Sequence, residues 1–158
     1  MPLTRRTVGE IMGREPLRIG PDASVREVIE TMIARRNGCV VVVDGEDRPL
    51  GIISERDLIP MAMAEEVPGG KLLKAILEEY ILHYLRDLKK SHATTAREIM
   101  SQPPVCVEED TSVAQAAYMM DIYSYRQLPV TRQGRLVGIV CRADIVRAVA
   151  ETLPRQSN

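Results

Sequence analysis

Thr7-Val8-Gly9-Glu10-Ile11-Met12 returns 88 residues later as Thr95-Ala96-Arg97-Glu98-Ile99-Met100, and this pair of hexapeptides decides the fold. Self-similarity at a fixed separation marks a duplicated structural unit, so the chain is compared with itself before elements are assigned. Outward at the same separation, Pro16 meets Pro104, Asp22 meets Asp110, Ser24-Val25 meets Ser112-Val113, and Met32 meets Met120. A one-residue deletion in a turn then changes the separation to 87, so that Gly51-Ile52 meets Gly138-Ile139 and Asp57 meets Asp144. One order of features is kept over the whole unit, which makes the chain a tandem duplication.

Each copy reads as strand, helix, strand, strand, helix. Short apolar segments, Leu17 to Ile19 and Val105 to Val107, come first. Ser24-x-x-Glu27 and Ser112-x-x-Gln115 have the form of capping boxes that open helices. Val25, Val28, Ile29, Met32 and Ile33 recur at helical spacing, as do Val113, Ala116, Ala117 and Met120. A β-branched run, Val40 to Val43, follows; Asp44-Gly45 begins a turn, and Leu50-Gly51-Ile52-Ile53 is the next strand. In the second copy Leu128 to Thr131 and Leu136 to Val140 flank Gln133-Gly134. A last helix follows Ser54 in copy one and Cys141 in copy two. These boundaries give a first repeat over 7–59, a connector over 60–94 and a second repeat over 95–150. Neither copy alone buries much surface, so the two are expected to pack together.

Within the connector, Val67-Pro68-Gly69-Gly70 is a break, and Lys71 to Lys90 reads as one helix. Leu73, Ile76, Leu77, Tyr80, Ile81, Tyr84 and Leu88 give that helix a broad apolar face. The face suits a cover for the chain's own core, and equally a contact with another subunit.

Bulk composition excludes several classes. The 158 residues suit one domain or two small ones, and 45% hydrophobic residues suffice for a core, built of Ile, Val, Leu and Met because Phe and Trp are absent. With 21 basic and 22 acidic residues the net charge is −1, which supports neither a nucleic-acid footprint nor a membrane-surface patch. No apolar stretch is long enough to span a bilayer, and Met1 to Gly20 holds no signal-peptide core, so a cytoplasmic location is expected. Cys39, Cys106 and Cys141 are dispersed and form no CxxC pair, against a disulfide framework or zinc site. His83 and His92 lack partners at metal-ligand spacing, so no metal is expected. No Ser/His/Asp or Cys/His pattern indicates nucleophilic catalysis.

The chemistry concentrates where the last strand of each copy meets the last helix: Gly51-Ile52-Ile53-Ser54-Glu55-Arg56-Asp57 and Gly138-Ile139-Val140-Cys141-Arg142-Ala143-Asp144. Such a junction serves simply as a capped helix start, with Ser54 as N-cap and Asp57 as an acid of the first turn. The same geometry can hold a ligand. Free N–H groups and the positive dipole end attract an anion. Ser54 and Arg56 suit a phosphate, while an ionised Asp57 or Asp144 accepts hydrogen bonds only and can take both hydroxyls of a ribose. There is no GxxxxGK[ST] loop for ordinary NTPase chemistry.

The Thr-x-x-Glu-Ile-Met heading, the capped amphipathic helix, Gln127-Leu128-Pro129-Val130 and the Gly-h-h-Ser/Thr-x-x-Asp ending together resemble CBS domains, over about residues 7–59 and 95–150. The resemblance implies an α/β (α+β) fold: two βαββα repeats packed as a pseudo-twofold CBS pair, here with an extra connecting helix. It implies clefts between the repeats that bind AMP, ADP, ATP or S-adenosylmethionine, with no obligatory cofactor. It implies that Asp57 and Asp144 hold ribose and that Ser54 touches phosphate, with Gly38 and Arg126 near the phosphate. Pro16, Leu17 and Arg18, and Val105, Cys106 and Val107, would line the base slot. Arg142 is a further phosphate candidate.

Two departures bear on these sites. Cys141 stands where Ser or Thr is wanted, and a thiol is a weak donor. Pro60 removes a backbone donor early in the first copy's last helix, so that helix is expected to be short or kinked. Ser54 weighs more than Pro60, which makes the Asp57 site the expected tighter one. The chain therefore reads as a non-catalytic regulatory module that homodimerises, binds an adenosyl small molecule and signals to an effector protein. Rival readings are a ligand-free dimerisation or protein-interaction module, an enzyme turning over a nucleotide, and a thiol-based redox partner.

Overall fold

A computed structural model of the chain describes residues 2–63, 90 and 92–154, of Ala62 and Met63 only the backbone. The connector helix expected over 71–90, with His83, lies outside the described residues except for Lys90. The fold is mixed α+β, with two three-stranded sheets. Two compact units are present, one built from Leu17–Val42 and Leu50–Gln102, the other from Met1–Pro16, Val43–Pro49 and Pro103–Asn158.

In the first unit the sheet has the order β1 (Arg18–Ile19), β2 (Cys39–Val43), β3 (Pro49–Ser54). β1 runs parallel to β2, with Arg18 opposite Val41 and Ile19 opposite Val42. All five residues of β2 are buried, which is why its sequence is a continuous β-branched run and not an alternation. Helix α1 (Val25–Arg35) starts at Ser24, whose hydroxyl accepts the Glu27 N–H at 3.2 Å. The Glu27 carboxylate accepts the Ser24 N–H at 2.7 Å in return. Val25, Val28 and Met32 are buried and Ile29 packs beside them. Ile33, expected on the same stripe, is 71% exposed. Helix α2 (Glu55–Met63) runs through Pro60, whose ring forfeits one N–H a turn into the helix.

The heading hexapeptides explain themselves here. In this unit Ala96, Ile99 and Met100, from the second repeat's heading, share one core with Val28, Val40, Val42 and Ile53 from the first repeat. Helix α3 (Ala96–Ile99) is seated by Ala96 N–H to Ala23 O at 2.8 Å and by a reciprocal pair between Ser101 and Ile52, at 2.9 and 3.1 Å. Ile99 is fully buried, worth about 1.5–3 kcal/mol of apolar burial.

The second unit repeats the plan with the other heading. β4 (Val107–Glu108) is parallel to β5 (Gln127–Arg132), which is antiparallel to β6 (Arg135–Cys141). Gln133 and Gly134 both have positive φ, 51° and 77°, as a two-residue hairpin requires. Helix α4 (Val113–Ile122) is capped by Ser112, whose hydroxyl accepts the Gln115 N–H at 3.1 Å; no return bond from Gln115, as in a full capping box, accompanies it. Helix α5 (Arg142–Thr152) follows β6 directly. Val8 and Met12, from the first heading, are buried among Val107, Met120, Leu128 and Val140. Gly13 exchanges two hydrogen bonds with Ile139, both at 2.9 Å. Each unit thus combines the sheet and helices of one repeat with the heading of the other.

Candidate functional site

The two glycines that open the repeated ending are fixed by packing. A Cβ on Gly51 would lie 2.5 Å from the Met100 Sδ, and one on Gly138 would collide with the Met12 Sδ and sit 2.8 Å from the Gly13 carbonyl. The methionine closing each heading therefore lies flat over a glycine at the strand end. Beyond the glycine the strand turns directly into a helix, and the helix's first N–H is already used: Glu55 N–H donates to Gly38 O at 3.1 Å, and Arg142 N–H to Arg126 O at 3.0 Å. These bonds bring Gly38 and Arg126 against the starts of α2 and α5.

At the first junction Asp57 Oδ2 accepts the Ser54 N–H at 2.8 Å and the Ser54 hydroxyl at 3.1 Å. The other oxygen is also taken. Oδ1 accepts the Ser101 hydroxyl at 2.8 Å and an ion pair from Lys90 Nζ, which also donates to Ser101 Oγ at 3.3 Å. Asp57 is 6% exposed and Lys90 8%, so the pair is a desolvated one whose loss on one side is costly. Arg56 is exposed. Leu17 is part-buried in the same unit and its carbonyl accepts the Val41 N–H at 2.9 Å. An open cleft of about 390 Å³ lies nearby, lined by Ile29, Ile33, Arg36, Gly38, Glu55 and Leu58 among others; Ser54, Arg56 and Asp57 are not part of its wall.

The second junction has the same backbone and a different surround. Asp144 Oδ2 accepts the Cys141 N–H at 2.9 Å, and Oδ1 pairs with Arg147 of its own helix at 3.2 Å. Arg147 is 68% exposed, so that pair is weak and easily rearranged. Arg142 is tied to backbone, its Nε donating to Tyr125 O at 2.8 Å and Nη2 to Met120 O at 3.3 Å. Arg126 is exposed. Pro16 is buried, and Val105 and Cys106 are part-buried, in this unit. Burial pushes the Cys141 thiol up from its ordinary value, helped by the Asp144 charge. Burial likewise raises Cys106 to about 11, with Glu108 adding to it. Both stay thiols at neutral pH, which disfavours thiolate chemistry.

The sequence reading picks out Ser54 with Asp57 and Cys141 with Asp144, and each pair is brought together. It misses Lys90 and Ser101. At the repeat separation of 88 these face Pro2 and Gly13, so self-comparison offers no signal for them. Among the described residues no cluster of His, Cys, Asp and Glu could hold a metal, and no helix is long and apolar enough to cross a membrane.

Comparison with known proteins adds the family. An uncharacterized protein of Methanopyrus kandleri is 32% identical over 142 residues, covering 89% of this chain and 61% of that protein. The CBS domain-containing protein CBSX1, chloroplastic, of Arabidopsis thaliana is 29% identical over 155 residues, covering 92% and 64%. The chain thus spans less than two thirds of the length of these relatives. The crystal structure of CBSX2 in complex with AMP matches with a TM-score of 0.77 at 23% identity, over 92% of this chain and 97% of that one. The CBS domain pair of protein MJ0100, in complex with 5-methylthioadenosine and S-adenosyl-L-methionine, matches with a TM-score of 0.70 at 22% identity, over 93% and 98%. At those identities the likeness establishes the fold. The CBS domain family itself matches residues 8–62 and 96–151, and with both repeats matched the chain belongs to the CBS-domain family as a tandem pair.

Proposed function

We propose that the chain is a regulatory sensor that binds an adenine nucleotide or related adenosyl ligand at the strand-to-helix junctions, and that it is not an enzyme. The observation that carries this reading is a carboxylate, Asp57 or Asp144, held three residues into each junction by the strand-end amide, at 2.8 and 2.9 Å. A carboxylate so fixed is pre-set to accept a ribose diol, while the helix start beside it favours phosphate. The reported ligands of CBSX2 and of the MJ0100 pair, AMP, 5-methylthioadenosine and S-adenosyl-L-methionine, are all adenosyl compounds. Ser54, Arg56 and Arg126 are the proposed phosphate contacts, with Arg142 joining only by giving up its backbone bonds. Pro16, Leu17, Val105 and Cys106 are the proposed base contacts. Binding would favour one arrangement of the chain and so alter its contact with an effector protein.

A homodimer belongs to the same reading. Tyr118 and Ile122 on α4 are 65% and 53% exposed, and Val146 on α5 is 67% exposed; such apolar surface prefers burial. The interaction-module alternative rests on this exposed apolar surface and on the apolar pattern in the sequence of Lys71 to Lys90. A thermal-shift screen with AMP, ADP, ATP and S-adenosylmethionine tests the choice. A rise in Tm with at least one compound is expected. No shift with any of them, together with a dimer by light scattering, would favour the interaction module.

A further inference from the structure

We propose that Lys90 is a built-in competitor for the first ligand site, so that Asp144, and not Asp57, is the carboxylate open to ligand. This rests on the adenosyl-binding reading above and deepens it. The two junctions share their backbone geometry but differ in what covers the acid. All the contacts a ribose diol would need at Asp57 are already made within the protein. Oδ2 holds the Ser54 amide and hydroxyl, and Oδ1 holds the Ser101 hydroxyl and the Lys90 ammonium. A hydroxyl and an ammonium on one carboxylate oxygen are the donors that two ribose hydroxyls would replace.

The lock belongs to one half of the duplication only. The heading segments cross the strand ends alike, Ser101 pairing with Ile52 and Gly13 with Ile139. Where one side supplies a hydroxyl, the other supplies Gly13, which has none, and the position matching Lys90 is Pro2, which carries no cation. Asp144 is left with Arg147, whose side chain is 68% exposed and can swing away at little cost. A ligand at Asp57 must instead expel a buried ammonium. Its apparent affinity is the intrinsic affinity multiplied by the fraction of time that Lys90 is away. The presence of Ser54 ranks the Asp57 site first by sequence; the Lys90 contact reverses that order.

The test is calorimetric titration of AMP into the full chain and its variants. Wild type should bind one equivalent per chain, abolished by Asp144→Asn and retained in Asp57→Asn. Lys90→Met should add a second equivalent, abolished by Asp57→Asn, with its apparent Kd at least tenfold below any residual wild-type binding there. Should Lys90→Met fail to melt cooperatively, Lys90→Gln is titrated in its place; its neutral amide holds the carboxylate less tightly than an ammonium, so a second, Asp57-dependent equivalent is again expected, weaker than in Lys90→Met. Amine labelling of wild type gives a check without mutation, since the chain has four lysines, Lys71, Lys74, Lys89 and Lys90. Saturation with AMP should leave Lys90 as slow to label as in the free protein. Binding to wild type that Asp57→Asn abolishes, or AMP that unmasks Lys90, would overturn the competitor role. A single Asp144-dependent equivalent in wild type and both Lys90 variants would overturn it while the sensor reading stands. Absence of binding by every protein to AMP, ADP, ATP and S-adenosylmethionine would overturn both.

Discussion

Replacing Lys90 by Met removes one member of an ion pair whose side chains are 10% and 7% exposed. Water cannot replace the lost ammonium at so little exposure. Breaking one side of such a pair typically costs about 3–5 kcal/mol, because a charge stays buried alone. Ser101 and Ser54 still donate to Asp57, so the lower end, about 3 kcal/mol, is expected. Asp57→Asn alone should cost a similar amount by leaving the ammonium unpaired. The double variant removes both charges, and its loss should fall short of the sum of the two by about 1–3 kcal/mol. Urea unfolding of all four proteins, read as midpoints at a constant m-value, measures the cycle. Losses that add within about 0.5 kcal/mol would show that the two groups do not interact, and would refute the buried pair.

Three more outcomes follow from the packing and the caps. Gly51→Ala and Gly138→Ala should each cost about 1–3 kcal/mol from overpacking, the first relieved by Met100→Ala and the second by Met12→Ala, as read by urea midpoint. Ile99→Ala should cost about 2–5 kcal/mol and release protection from hydrogen exchange in β2 and β3, because Ile99 fills the first repeat's core. The Ser24 amide holds the Glu27 carboxyl below its ordinary 4.5, and the Thr94 and Thr95 amides do the same for Glu98. A depressed folded-state pKa stabilises above the ordinary value and is lost as pH falls through the folded one. Stability should therefore drop on acidification below about pH 4.5, and less steeply in Glu27→Gln/Glu98→Gln.

The duplication was legible because packing repeats what it needs. Val28 and Val113 fall on core positions of α1 and α4, and Ser24 and Ser112 cap those helices, as local rules require. Ile33 misled, since helical spacing does not say where a neighbour ends. The headings show in sequence as a motif, yet nothing in Thr-x-x-Glu-Ile-Met says that Met100 lies over Gly51 and Met12 over Gly138. Lys90 was hidden for a different reason. A lysine beside another lysine at the end of an apolar helical pattern reads as a solvated terminus. Only the fold brings it 33 residues back to Asp57.

The most direct measurement of the sensor function is the calorimetric affinity of wild type and Asp144→Ala for the adenosyl compound that raises Tm most. A carboxylate holding two ribose hydroxyls makes charge-assisted bonds of roughly 1.5–3 kcal/mol each, so the variant should bind at least tenfold more weakly. Its melting point should change little, because the pair that Asp144 makes with the exposed Arg147 is weak and an acid in a helix's first turn is worth only about 0.3–1 kcal/mol. Equal affinity in the two proteins, or a lost fold with unchanged affinity per folded molecule, would contradict ligand binding at this carboxylate.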